Sequence, residues 1–135
     1  IKQLTDQGTI VIASGGGGIP VYKNERGLLE GIEAVIEKDS SACKLAIEAN
    51  ADMLMILTDV PNVFINYGTK NQQALTKISV AEAQQFVDEG QFSPGSMKPK
   101  VEAAIQFAKQ GGRAIICSLE EADKALEGLT GTHIY

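Results

Sequence analysis

Three segments of the chain carry residue types suited to gripping a phosphate-bearing ligand. Ser14 is followed by four glycines, Gly15, Gly16, Gly17 and Gly18. Glycine lets backbone approach a ligand closely, and successive N–H groups can line an anion nest. No Gly-Lys-Ser/Thr follows, so this is not a Walker loop. Ile19-Pro20 follows where a Rossmann fingerprint would start a helix. The same run would also serve as a plain surface turn. Lys38-Asp39 is the second segment, at an expected helix start. A helix N-terminus attracts anions, and the lysine adds a full charge. Asp39 can cap the helix, orient the lysine, or both; alone, the pair also reads as an ordinary cap beside a solvated lysine. The third segment is Gly95-Ser96-Met97-Lys98-Pro99-Lys100, in which a glycine, a small hydroxyl and two lysines stand ahead of another helix.

Other chemistries find less support. His133 is the only histidine, with no Ser, Cys or metal partner near it in sequence, and reads as a strand-end residue without a catalytic role. Cys43 and Cys117 lack metal-ligand spacing and read as two reduced thiols. No carboxylate pair stands at helical spacing and no basic stripe interleaves with aromatics, so hydrolase triads and metal hydrolases are not indicated.

Elements that would position these residues follow from hydrophobic pattern and capping. Thr9 to Ala13 is a short β-branched run, expected as a buried strand feeding the glycine loop. Met53 to Leu57, ending at Thr58-Asp59, is a second strand, Arg113 to Cys117 a third, and Thr132 to Tyr135 a fourth. A helix is expected from Asp39 to Ala49, stopped by Asn50 in a left-handed conformation. Ser79-Val80-Ala81-Glu82 is a capping box whose helix ends at Gly90. Pro99 suits the first turn of a helix reaching Gln110, stopped by Gly111-Gly112. Ser118-Leu119-Glu120-Glu121 is a second capping box, with Gly128 as the stop. Val21 to Glu30 reads as a small hairpin and Val60 to Gly68 as an extra strand. Alternation of this kind predicts a largely parallel sheet with helices on its faces. Ligands then bind beyond the carboxyl ends of the strands, at Ser14–Gly18, Thr58-Asp59 and Ser118.

The 135 residues predict one domain, and 44% hydrophobic with 21% charged residues is ordinary for a globular chain. A formal net charge of −5 argues against coating nucleic acid or anionic membrane. The longest apolar run, Met53 to Leu57, cannot span a bilayer. With no signal-peptide pattern, the expectation is a cytoplasmic protein. Ile1-Lys2-Gln3-Leu4 followed by Gly8 looks like the last turns of a helix and its stop, which predicts that the sequence lacks an N-terminal part.

Taken in order, four stretches resemble the carbamate kinases of the amino-acid-kinase superfamily. They are Ser14-Gly15-Gly16-Gly17-Gly18-Ile19-Pro20-Val21; Gly31-Ile32-Glu33-Ala34-Val35-Ile36-Glu37-Lys38-Asp39; Ala51-Asp52-Met53-Leu54-Met55-Ile56-Leu57-Thr58-Asp59-Val60; and Gly90-Gln91-Phe92-Ser93-Pro94-Gly95-Ser96-Met97-Lys98-Pro99-Lys100-Val101. Gly131-Thr132-His133-Ile134 is similar to that family's C-terminal strand. Acetylglutamate and uridylate kinases share the architecture but differ around Lys38-Asp39 and Gly95 to Lys100.

The resemblance implies a three-layer αβα sandwich with a mainly parallel central sheet, of which this chain would be the C-terminal, nucleotide-binding half. It implies reversible phosphoryl transfer between carbamoyl phosphate and ADP, giving ATP and carbamate, with Mg²⁺ accompanying the nucleotide. Lys38 and Lys100 would contact phosphates, and Asp39 would organise the lysines. Gly15, Gly16, Gly17 and Gly18 would face the reacting centre. Thr58, Asp59 and the loop after them, with Tyr67, would border the adenosine. Gly95, Ser96 and Met97 would cover the nucleotide. The chain's residues would supply no dedicated metal ligand. Full-length members are expected to be homodimers, and the chain alone to be inactive. Such enzymes serve arginine, agmatine or purine breakdown. Two departures stand out: Lys98 takes a position usually held by glycine, where it could crowd the loop or add charge, and Ser40-Ser41 replace more apolar residues. The alternative is a catalytically silent nucleotide-binding or partner module of the same superfamily.

Overall fold

A computed structural model describes residues 1–135. The elements run α1 (Lys2–Asp6), β1 (Val21–Lys23), β2 (Leu29–Gly31), α2 (Lys38–Glu48), β3 (Met53–Thr58), β4 (Val63–Ile65), β5 (Gln73–Leu75), β6 (Lys77–Ile78), α3 (Val80–Asp88), α4 (Met97–Ala108), β7 (Arg113–Ser118), α5 (Ala122–Leu126) and β8 (Thr132–Ile134), with a 3₁₀ turn at Leu119–Glu121 before α5. The central sheet has the order β3-β7-β8-β6. The β3–β7 and β6–β8 pairs are parallel and the β7–β8 pair antiparallel, a mixed sheet with mostly parallel pairing.

Period-two alternation along β7 separates the two faces of this sheet. Ala114 and Ile116 join Leu54 and Ile56 of β3 in the main core, against Cys43 of α2, Ala83 and Val87 of α3 and the buried stripe of α4. Ile115 and Cys117 point to the other face, where they pack with Ala125 of α5. Helices on both faces give the three-layer α/β sandwich. The centre of the main layer is α4, whose buried residues include Val101, Ala103, Ala104, Ile105, Phe107 and Ala108. Its small alanines let backbone approach the sheet and α2, while Ile105 and Phe107 supply apolar bulk. Burying each side chain of that larger size contributes about 1.5–3 kcal/mol. After α4 the chain turns at Gly111 (φ +87°), and a Cβ at Gly112 would run into the Phe107 ring.

Most expected stops and turns form. Asn50 adopts φ +53°, and Gly90 and Gly128 are left-handed after their helices. Ser79 and Glu82 make the reciprocal capping box of α3. Val21–Lys23 and Leu29–Gly31 pair as the expected hairpin. The extra strand within Val60 to Gly68 is β4, which pairs with β5 in a separate antiparallel ribbon.

Three local expectations are corrected. Residues 9–13 are not a strand: Ile10 and Ile12 are 93% and 99% exposed, and no strand lies on the outer edge of β3. A β-branched run needs a ladder partner and a covered face to stay extended, and this one has neither here. Helix α2 begins one residue early, capped by Glu37 rather than Asp39. The Glu37 carboxylate accepts from the N–H groups of Asp39 (2.6 Å) and Ser40 (3.2 Å), which frees the Asp39 side chain. The second capping box does not form. Ser118 makes no side-chain cap, and the 3₁₀ turn takes up the residues that would have begun the helix. Strands β5 and β6 were not expected.

Candidate nucleotide and phosphate site

The N-termini of α2 and α4 bring Lys38, Asp39 and Lys100 together. Asp39 Oδ2 accepts from Lys38 Nζ at 3.2 Å and from Lys100 Nζ at 3.0 Å. Asp39 and Lys100 are both buried, so each neutralises a charge the other could not carry alone out of water. The Lys38 side chain is 55% exposed and its ammonium also lies 3.6 Å from Glu37 Oε1. The hydrogen bond to Asp39 is the main reason the Lys38 ammonium holds its proton above the ordinary lysine range. The result is two ammonium groups fixed by one carboxylate, one reachable from solvent.

The glycine loop packs against the same place. A Cβ on Gly17 (φ +152°) would collide with the Ile36 carbonyl, and one on Gly18 would come within 3.0 Å of Ser41 Oγ. Gly17 and Gly18 therefore sit directly on the entry to α2, and at Gly17 the approach of backbone to backbone requires glycine. Gly15 and Gly16 precede them in open space.

Beyond the end of β3 lies a cavity of about 460 Å³. Asp59, Tyr67, Ser96 and Met97, which the resemblance would set around a nucleotide, line it. Thr58 is set back and donates from its hydroxyl to Asp59 Oδ1 at 3.1 Å. Gly95 is exposed and does not line the cavity. Phe64 and Tyr67 supply an aromatic wall, their ring centroids 5.9 Å apart and tilted by 51°. Such rings suit the flat apolar face of a base. Phe64, Asn66, Thr69 and Gln91 also line the cavity and were missed as site residues, because alternating strand and turn residues carry no mark of a ligand in sequence.

The cavity and the lysine pair are separate features joined by one turn of α4. Ser96 and Met97 line the cavity, and Lys100 lies three residues after Met97, on the same helical face. The α4 entry is braced from upstream, where Ser93 Oγ accepts from Met97 N–H and Ser93 O from Lys98 N–H. Lys98 lies 3.8 Å from Glu102 along the helix, and nothing places it among the groups around Asp39. Ser41 Oγ donates to the Glu37 carbonyl, an ordinary first-turn contact for the Ser40-Ser41 pair. His133 is buried, with Nε2 3.0 Å from the Thr130 carbonyl, away from every group named above.

Residues 1–118 match the Amino acid kinase family. The chain belongs to that family. Within it, the chain is similar to proteins named carbamate kinase. That of Pyrococcus horikoshii is 54% identical over 135 residues, covering 99% of this chain and 43% of that protein. Carbamate kinase 2 of Staphylococcus aureus is 53% identical, covering 100% and 44%. This amino acid kinase chain thus spans less than half the length of the curated relatives it matches. The Giardia lamblia carbamate kinase, solved bound to AMP-PNP, superposes with a TM-score of 0.92 at 43% identity, covering 98% of this chain and 47% of that one. The amino acid kinase fold expected for the chain is therefore the fold it has.

Proposed function

We propose that this chain is the nucleotide-binding, C-terminal part of a carbamate kinase. The observation that carries the proposal is the Lys38–Asp39–Lys100 arrangement beside an aromatic-walled cavity, in a chain more than half identical to named carbamate kinases. The reaction is reversible: a terminal phosphate oxygen of ADP attacks the phosphorus of carbamoyl phosphate, the bond to the carbamate oxygen breaks, and ATP and carbamate result. Phosphoryl transfer asks little covalent chemistry of the protein; it needs in-line positioning and compensation of charge on the moving group.

Each group then has a task. The base lies in the cavity against Phe64 and Tyr67, near Asp59, Ser96 and Met97. Thr58 orients Asp59, and Gly95 gives the covering segment its freedom. Lys38 and Lys100 donate to phosphoryl oxygens, and Asp39 holds both at the correct spacing. Gly15 to Gly18 present backbone N–H groups to the reacting centre. Mg²⁺ enters as part of the Mg–nucleotide substrate. The carbamate side and the homodimer contact belong to parts of the full-length enzyme outside this chain, so the chain alone is inactive. Two unpaired buried cysteines support a reducing, cytoplasmic setting. Retention of Lys38, Asp39 and Lys100 in one cluster favours turnover over a silent binding module.

The test is Lys38→Ala in the full-length enzyme. Loss of one preorganised charge-stabilising group is expected to lower kcat by about 10²–10³-fold. Unchanged turnover would sink the assignment.

A further inference from the structure

One buried hydroxyl takes no part in the chemistry above. Thr132 of β8 is fully buried. Its Oγ1 accepts from the Val63 N–H at 2.8 Å and donates to the Leu75 carbonyl. Val63 and Leu75 are register partners across β4 and β5, and the β4–β5 ribbon shares no backbone ladder with the central sheet. The Thr132 hydroxyl therefore fastens both strands of the ribbon, at one cross-strand pair, to the sheet that carries β8. The Leu75 carbonyl also accepts from Asn62 Nδ2 at 3.0 Å. The Val63 N–H has the Thr132 oxygen as its acceptor.

The ribbon matters because of what it carries. Phe64 follows Val63 directly, and the turn beyond β4 holds Asn66, Tyr67 and Thr69, all lining the cavity. The opposite wall comes from Gln91, Phe92, Ser93, Ser96 and Met97, borne by the segment leading into α4. A two-stranded ribbon is marginal in water. This one is held by Val63 and Leu75 packed in the main core, by the His133 N–H donating to the Thr76 carbonyl at 2.8 Å and by the Asn66 N–H donating to Gln91 Oε1 at 3.0 Å. Thr132 is the side chain that ties both of its strands at one cross-strand pair. We propose that Thr132 is a positioning residue for nucleotide binding: its hydroxyl sets the aromatic wall at the distance from the α4 wall that a base requires. This rests on the reading of the cavity as the nucleotide site. Thr132 touches no substrate.

The test compares Thr132→Val, which keeps the shape and loses the hydroxyl, with Thr132→Ser, which keeps the hydroxyl. Amide hydrogen exchange is followed along the chain, and affinities for Mg–ADP and for inorganic pyrophosphate are measured on the full-length protein. Thr132→Val is expected to speed exchange selectively across residues 62–75 and to weaken ADP about tenfold, with pyrophosphate affinity unchanged and both effects reversed in Thr132→Ser. Exchange that rises evenly along the chain, or ADP and pyrophosphate affinity falling together, would show a general structural role and overturn the proposal. So would wild-type ADP affinity in Thr132→Val. Wild-type protein that binds neither ligand would refute the nucleotide reading itself, and the proposal with it.

Discussion

Asp39 takes both lysine ammonium groups on a single oxygen, Oδ2, so the two cations depend unequally on it. Lys100 is buried and Lys38 is half-exposed, which orders the cost of each deletion. Asp39→Ala strands Lys100 without a counter-charge and is expected to cost about 3–5 kcal/mol of stability. Lys100→Met removes the buried cation while Lys38 still neutralises Asp39, so it should cost clearly less. Urea unfolding of the two variants checks the order, and equal losses would contradict it. The raised pKa of Lys38 has a signed consequence. Its pairing stabilises the folded state fully below the ordinary value of 10.5, and that stabilisation is lost as pH rises through the higher folded value. The stability difference between wild type and Lys38→Met should therefore be flat from pH 7 to about 10 and shrink above it. Solvent and salt weaken this exposed pair, so the difference will be small. Burial pushes both the Cys43 and Cys117 thiols up. Neither should react with an aromatic disulfide reagent at pH 8 until denaturant opens the core.

The elements show which sequence signals carry enough physics to be trusted. Asn50, Gly90 and Gly128 were legible because a helix end needs a left-handed residue and few residues tolerate it. Asn50→Ala at φ +53° should cost about 1–2 kcal/mol, and Asn50→Gly nothing or less, as measured by thermal unfolding. The Lys38-Asp39 and Gly95–Lys100 segments were each legible as a helix start from their residues, whereas their meeting at Asp39, which is tertiary and joins residues 61 apart, was implied only by the resemblance. Glu37 was missed as the cap because a longer carboxylate is a less usual cap than the Asp39 two positions on. The strand expected over residues 9–13 failed because strand pattern describes a residue's fitness for a sheet, and only a partner makes the sheet. Of the aromatic wall, Tyr67 came from the resemblance, and Phe64 was unread because β4 and β5 form a side ribbon whose purpose lies in where it stands. Gly17 was legible as permissive, and the structure adds why it must be glycine. Gly17→Ala should shift the Ile36 carbonyl and the start of α2, weakening pyrophosphate binding while leaving the aromatic cavity able to take adenosine.

At the scale of the whole molecule, the apolar surface is uneven. Ile10, Ile12, Ile19 and Val35 stand out in solvent at 93%, 99%, 85% and 95% exposure, and β3 has no strand on its outer edge. Exposed apolar side chains and an open strand edge are both invitations to association. The chain by itself is expected to bind a hydrophobic dye such as 1-anilinonaphthalene-8-sulfonate and to self-associate with concentration. Ile10→Lys with Ile12→Lys should reduce both, as read by dye fluorescence and sedimentation; dye binding unaltered by the double change would place the apolar surface elsewhere.

The parallel pairing of β3 with β7 also sets a timetable for synthesis. Met53 and Arg113, the first register partners, lie 60 residues apart in the chain. At a translation speed of about 5–20 residues per second, β3 is made roughly 3–12 s before its partner exists. Throughout that interval Met53-Leu54-Met55-Ile56-Leu57-Thr58 is an apolar strand without its ladder partner β7. A nascent chain paused inside α3 or α4 would hold that segment open for longer. Slower translation across residues 80–108 should therefore lengthen the time for which β3 is open to a chaperone or another nascent chain.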